Sequence, residues 1–215
     1  MKILLDHIIP TPLKDRFSQN GSAIWNTSVQ FTQGEYIKIK APSGTGKTTL
    51  VHILYQIRHD YEGKIVLDDR PATAITGDAL ALLRQKQVSI IFQDLRLFPQ
   101  LTARENIELK RVMQQPFYES SVIHEMAAEL GIEKILDQEA GLCSYGEQQR
   151  IAIIRSLMQP FEWLIMDEPF SHLDIENTKK AAALIARECR KRDAGFIITD
   201  LDEDSHFTYS RQLHL

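Results

Sequence analysis

Nine consecutive residues, Ala41-Pro42-Ser43-Gly44-Thr45-Gly46-Lys47-Thr48-Thr49, carry the densest chemistry in the sequence. They follow the phosphate-loop spacing G-x-x-x-x-G-K-[ST], with Ala41 in place of the first glycine. Gly44 and Gly46 can take backbone angles that side chains resist, so successive N–H groups can curl around a phosphate. In that reading Ser43 to Thr49 bind the phosphates of a nucleotide, Lys47 reaches the β- and γ-phosphates, and Thr48 offers its hydroxyl to Mg2+. A second group lies at Asp167-Glu168, where two carboxylates follow four apolar residues. Asp167 is placed to bind Mg2+ through its water shell, and Glu168 to polarise an attacking water as base. Gln93 follows another apolar run and is a candidate to ligate Mg2+ and orient water.

These residues need a scaffold that brings them together. Glu35 to Lys40 alternates with period two and predicts a strand before the loop, and Leu50, Val51, Ile53, Leu54 and Ile57 predict a helix after it. Val88 to Phe92 and Trp163 to Met166 read as buried strands. Phe196 to Thr199 reads as another, ending at Asp200. Lys2 to Leu5 predicts a first strand, broken by Pro10 and Pro12. Ile24, Val29 and Phe31 predict a weaker one, and Gly63 to Asp69 a strand and turn. Helices are predicted at Asp78–Gln87, Ile151–Met158 and Thr178–Arg192, the last stopped by Gly195, with Arg190-Lys191-Arg192 as a solvated final turn. Arg211 to Leu215 reads as a final strand.

Leu95 to Glu139 differs in character. Thr102 and Glu105 form a capping box at the start of one helix, Pro116 interrupts the pattern, and Val122, Ile123, Met126, Ala127 and Leu130 form a second stripe. The segment reads as a helical insertion in an α/β core. Leu97 and Phe98 either offer a docking surface or pack internally. Phe17, before the turn at Ser18–Ser22, either stacks on adenine or fills the core.

The 215 residues suffice for one sizeable α/β core. With 43% hydrophobic and 25% charged residues and a net charge of −4, the chain has no basic excess, and nucleic acid is not an expected partner. No apolar run is long enough to span a bilayer, and neither end reads as a signal peptide. The two cysteines, Cys143 and Cys189, lack metal-ligand spacing and read as reduced thiols of a cytosolic protein.

Taken in order, these motifs resemble the ATP-binding cassette (ABC) family of ATPases over nearly the whole chain. The resemblance rests on the phosphate loop, Gln93 as the Q-loop residue, Ser144-Tyr145-Gly146-Glu147-Gln148 as the signature, Ile165 to Glu168 as the Walker B strand, and Ser171-His172-Leu173-Asp174 as the D-loop. It implies a RecA-like P-loop NTPase core with an antiparallel β subdomain and an inserted helical subdomain. The whole chain would then be one nucleotide-binding domain. Core and β subdomain would occupy 1–93 and 140–215, and the helical subdomain 94–139, extending into the signature helix. It implies ATP and Mg2+ as ligands, and two cassettes sandwiching two ATPs head to tail, with Ser144 and Gly146 of one copy on the γ-phosphate held by the other. Ile91 to Phe98 and Gly146 to Arg150 are most similar to the stand-alone ATPases of lipoprotein release, macrolide export and cell division. These act through a separate membrane permease, which would place the chain on the cytoplasmic face of the membrane as a homodimer or heterodimer.

Three positions depart from the family pattern: Ala41, Tyr145 in place of the first signature glycine, and the position after the strand's threonine, where a histidine is expected and either Asp200 replaces it or one residue is deleted and Asp200 is the family's next acidic residue. A carboxylate cannot donate a hydrogen bond to a phosphate and would repel it. The expectation is therefore tight MgATP binding with slow hydrolysis, since Glu168 remains. The alternative is a nucleotide-dependent scaffold with little turnover.

Overall fold

The computed structural model describes residues 1–14, 21–201 and 205–215. The chain opens with strand β1 (Ile3–Pro10), β2 (Ser28–Phe31) and β3 (Tyr36–Lys40), then helix α1 (Lys47–Leu54). Next come β4 (Tyr61–Leu67), β5 (Arg70–Pro71), α2 (Gly77–Lys86) and β6 (Val88–Ile91). Helices α3 (Ala103–Val112), α4 (Ser121–Glu129) and α5 (Tyr145–Leu157) come after these. The chain ends with β7 (Trp163–Asp167), α6 (Ile175–Arg192), β8 (Gly195–Asp200) and β9 (Arg211–His214).

The strands form an antiparallel four-stranded sheet, β2-β1-β4-β5, and a parallel five-stranded sheet, β6-β7-β8-β3-β9. The parallel sheet is covered on both faces, which is why its strands read as apolar runs. Ile165, Ile197 and Ile37 lie in register across β7, β8 and β3 and join the core that includes α1 and β1. Their neighbours Leu164, Met166, Phe196 and Ile198 face the other way, into the core built with α5 and α6. Each fully buried side chain of this size contributes about 1.5–3 kcal/mol.

The capping box of α3 forms as its sequence indicates: Thr102 Oγ1 accepts from the Glu105 amide at 3.1 Å, and Glu105 accepts from the Thr102 amide at 2.8 Å. Elsewhere the structure corrects the sequence reading. Strand β1 runs past Leu5 to Pro10, because a bulge at His7 (φ 53°) lets pairing with β4 resume at Ile9. The bulge needs Gly63 opposite it, since a Cβ there would lie 2.3 Å from the His7 carbonyl. Ile24 is core but precedes β2. Helix α6 starts at Ile175, before Thr178, because Asp174 caps it by accepting from the Asn177 amide at 2.8 Å.

Gly195 does not stop α6. Asp193 does, in a left-handed conformation (φ 51°), and Gly195 opens β8. A Cβ at Gly195 would sit 2.8 Å from both the Glu35 carbonyl and the Trp163 ring. Nor is the last turn of α6 wholly solvated. The Arg192 side chain is 4% exposed, pairs with Glu188 at 2.6 Å, and lies over the rings of Phe117 and Phe161 at 4.6 Å each. Burial alone would raise the Glu188 carboxyl. Hydrogen bonds from Arg192 and Tyr118 outweigh that and hold its pKa below the usual range.

Gly195→Ala therefore introduces a methyl against backbone and a locked ring. It is expected to lower stability by about 1–3 kcal/mol, read as a reduced urea midpoint at unchanged slope.

Candidate phosphate-binding site at the carboxyl edge of the parallel sheet

Strand β8 lies between β7 and β3, so their carboxyl ends meet. In open α/β sheets this edge is where ligands bind. The Ala41 amide donates to the Asp200 carbonyl at 3.1 Å, and the Glu168 amide to the Thr199 carbonyl at 3.0 Å. The loop after β3 and the carboxylates after β7 are thus pinned to one strand. Ala41 is fully buried, so its methyl is accommodated inside the fold.

Gly44 (φ 79°) has nothing within 4 Å of where a Cβ would stand, so the crest of the loop is open. Gly46 (φ 103°) backs onto Leu13 and Trp25, where a Cβ would come within 2.9 and 3.4 Å. Helix α1 then begins at Lys47 with the unpaired amides and positive dipole end that favour an anion. Leu13, Ser43, Gly44, Gly46, Lys47, Thr48, Thr49, Gln93 and Glu168 line a cavity of ≈ 270 Å³ over that end. Thr45 is not part of this wall, and its hydroxyl donates to the Pro42 carbonyl at 2.7 Å.

Four of these side chains touch one another. Lys47 Nζ is 2.9 Å from the Ala41 carbonyl and 3.2 Å from Glu168 Oε1. Gln93 Nε2 donates to Glu168 Oε2 at 3.2 Å, and the Thr48 hydroxyl to Gln93 Oε1 at 3.4 Å. Glu168 sits at φ 47°, an uncommon conformation for a residue with a side chain. Asp167 is 1% exposed and accepts from the Thr199 hydroxyl at 2.6 Å. Thr48, Gln93 and Asp167 line a second cavity of ≈ 380 Å³. Among the described residues no group of three or more His, Cys, Asp or Glu is placed to hold a metal ion. One carboxylate with a hydroxyl and an amide oxygen is the sparse all-oxygen set from which Mg2+ is held jointly with phosphate and water.

Ser144 and Gly146 line neither cavity. Ser144 caps α5 by accepting from the Glu147 amide at 3.4 Å while its hydroxyl donates to Glu147 Oε2 at 2.7 Å, and Gly146 packs so closely that a Cβ would lie 3.0 Å from the His172 carbonyl. Tyr145 stands in the second cavity, with its ring 4.2 Å from that of His172 and its hydroxyl 3.4 Å from the Gln93 carbonyl. Phe17 lies outside the described residues.

The carboxylate of Asp200 is not simply directed at the loop. Its Oδ2 is 3.9 Å from Nζ of Lys38, a fully buried lysine on β3, and its Oδ1 accepts from the Leu201 amide at 2.7 Å. The repulsion expected from the sequence is thus opposed within the sheet. Sequence reasoning missed His52, and named His172 only within the D-loop resemblance, not as a wall of the second cavity. His52 follows Thr48 by one helical turn, a spacing that places both on one face of α1. Burial, then the positive charge of Arg96, pushes the His52 pKa down.

A glycine-bearing loop between a central parallel strand and a helix, with an acidic pair at the end of the next strand but one, defines the phosphate-loop nucleotide-binding class. The family described as ABC transporter matches residues 24–171. The chain is 34% identical to the ABC transporter ATP-binding protein YxdL of Bacillus subtilis (strain 168) over 159 residues, covering 73% of this chain and 62% of that protein. It is 30% identical over 191 residues to the lipoprotein-releasing system ATP-binding protein LolD 2 of Chlorobaculum tepidum, covering 85% of this chain and 76% of that one. The macrolide export ATP-binding/permease protein MacB of Bdellovibrio bacteriovorus is 30% identical over 158 residues, covering 74% of this chain but only 24% of that protein. The fold is that of the dimeric, ADP- and Pi-bound ATP-binding cassette MJ0796, with a TM-score of 0.79 at 23% identity over 93% of this chain and 88% of that one. The chain belongs to the ABC transporter family.

If Asp200 serves Lys38, Asp200→Asn deprives a buried ammonium of this counter-charge. The expected loss, discounted for partial exposure, is about 1–2 kcal/mol, measured by urea unfolding, with no gain in nucleotide turnover.

Proposed function

We propose that this chain binds MgATP and hydrolyses it at a modest rate, as the ATP-binding subunit of a transporter-type complex that drives a separate membrane permease. The observation that carries this reading is the contact of Lys47, Thr48, Gln93 and Glu168 over the start of α1. Ser43 to Thr49 hold the phosphates. Thr48, Gln93 and Asp167 hold Mg2+, which when bound neutralises charge developing on the phosphates. Glu168 takes the proton of the attacking water, and Gln93, bonded to it, orients that water. Lys47 releases Glu168 when it turns to phosphate. Turnover is modest because the residue after Thr199, Asp200, is turned to Lys38 and the Leu201 amide and gives the phosphates no donor.

Two surfaces support the assembly. The α5 N-terminus, with Ser144 exposed and away from the chain's own phosphate cavity, is free to meet a nucleotide on a second cassette, identical or not. A groove of ≈ 180 Å³ is lined by Phe92, Phe98, Leu109, Met113, Lys110 and Arg155 among others. Phe98 and Met113 are 55% and 70% exposed. Burial, then the nearby Arg155 and Arg84, pushes the Lys110 ammonium down to about 8. A cation in that state favours a partner that brings a carboxylate beside apolar residues. A cytoplasmic segment of the permease with that character would fix the chain to the inner face of the membrane. No helix among the described residues is itself long and apolar enough to cross a membrane.

Steady-state ATPase assays of wild type and Glu168→Gln test the enzyme. Glu168→Gln is expected to lower kcat by about 10²–10⁴ while retaining MgATP and trapping a dimer. If both proteins bind ATP and neither hydrolyses it, even with the permease present, the chain is a nucleotide-dependent scaffold. Phe98→Asp is expected to weaken permease association at least tenfold in a pull-down with unchanged basal turnover.

A further inference from the structure

Thr48 and Gln93 are shared by two cavities, so the second adjoins the first. Its remaining walls are His52, Asp94, Asp167, Tyr145 and His172. Most of these groups are committed. Asp94 pairs with Arg96 at 3.3 Å, and Asp167 accepts from Thr199. The His52 ring packs edge-on to Phe92, 6.1 Å between centroids. The Tyr145 hydroxyl points to the Gln93 carbonyl.

Among the described residues the ring nitrogens of His52 and His172 both lack a hydrogen-bond partner, but only His172 is tied to the backbone of Glu168. The His172 amide donates to Gln149 Oε1 at 3.0 Å, and Gln149 Nε2 donates to the Glu168 carbonyl at 3.3 Å. Gln149 is 1% exposed, so one buried amide fixes the spacing of His172 and Glu168. The Tyr145 ring, 4.2 Å away and inclined at 64°, orients the imidazole. The chain thus places an uncommitted, pre-positioned donor in the cavity that adjoins the phosphate loop, while the end of β8 offers none.

We propose that His172 is a further phosphate-contacting residue, donating a hydrogen bond to the γ-phosphate of bound ATP in the same chain. This rests on the nucleotide reading above. As water forms its bond to phosphorus, the bond to the β-phosphate oxygen breaks and its electron pair leaves with ADP. Glu168 takes the water's proton, and His172 keeps its own while stabilising charge on the γ-oxygens.

The test is the affinity of wild type, His172→Ala and His172→Gln for MgADP and for the Mg2+ complex of the β,γ-imido analogue of ATP. It is run by titration calorimetry at protein concentrations where the chain stays monomeric. His172→Ala is expected to weaken the imido analogue about tenfold and to leave MgADP within about twofold. His172→Gln, which keeps a donor, recovers most of the loss. In turnover, kcat falls more than KM rises. Equal changes for both nucleotides, or none, overturn the proposal. A loss seen only under dimerising conditions overturns it too, because the contact would then be to the other copy's nucleotide. A wild type that binds neither nucleotide overturns the nucleotide reading itself, and this proposal with it.

Discussion

Strand β8 is the tie on which the site depends. It is hydrogen-bonded on both sides within the parallel sheet, and its last two residues hold the loop after β3 on one side and the carboxylates after β7 on the other. The Asp200 carbonyl takes the amide of Ala41, the Thr199 carbonyl takes the amide of Glu168, and the Thr199 hydroxyl donates to a carboxylate oxygen of Asp167. Backbone bonds at a buried edge are costly to leave unmade. Loop and carboxylates therefore keep their spacing with no direct covalent link between them. The positive φ of Glu168 belongs to the same constraint, since it turns the chain off β7 just where its amide must reach Thr199.

The helical half is fastened to that edge by side chains. Gln149 on α5 joins Glu168 to His172, and Arg150 joins the Gly146 and Leu130 carbonyls to Asn177 at the start of α6. Arg155, near the other end of α5, holds the Leu95 and Arg96 carbonyls beyond Gln93. Burial lowers the pKa of that guanidinium to about 10, and it stays charged at neutral pH. Helix α5 thus contacts the segments on both sides of the phosphate cavity, and a displacement of α5 would be felt at Gln93 and Glu168 together.

How much of this was legible in the sequence depended on distance along the chain. Features carried by neighbours were readable: the period-two run before the loop, the helical stripe after it as far as Leu54 though not Ile57, which lies past the helix and is exposed, and the capping box at Thr102. The apolar runs of β6, β7 and β8 announced strands buried on both faces. What escaped was set by partners far away. Gly195 looked like a helix stop because glycines often are, yet it is small because Trp163 and Glu35 close on it. Arg192 looked like a solvated charge because its partner aromatics arrive from other segments, Phe161 from beyond α5 and Phe117 and Tyr118 from just before α4. Strand β1 outran its expected end because its bulge is compensated by Gly63, remote in sequence.

Asp200 shows the same limit in electrostatics. Read along the chain, a carboxylate after Thr199 is a repulsive charge beside a phosphate loop. In the fold, β3 runs beside β8, and Lys38 rises from the strand that leads into the loop itself. A buried lysine there, flanked in register by Ile198, is tolerable only with an anion near it. The acidic residue at the end of β8 places such an anion 3.9 Å from Lys38, on the strand that carries the loop. In the reading proposed above the further phosphate donor comes from a neighbouring segment, where Gln149 ties His172 to the Glu168 backbone.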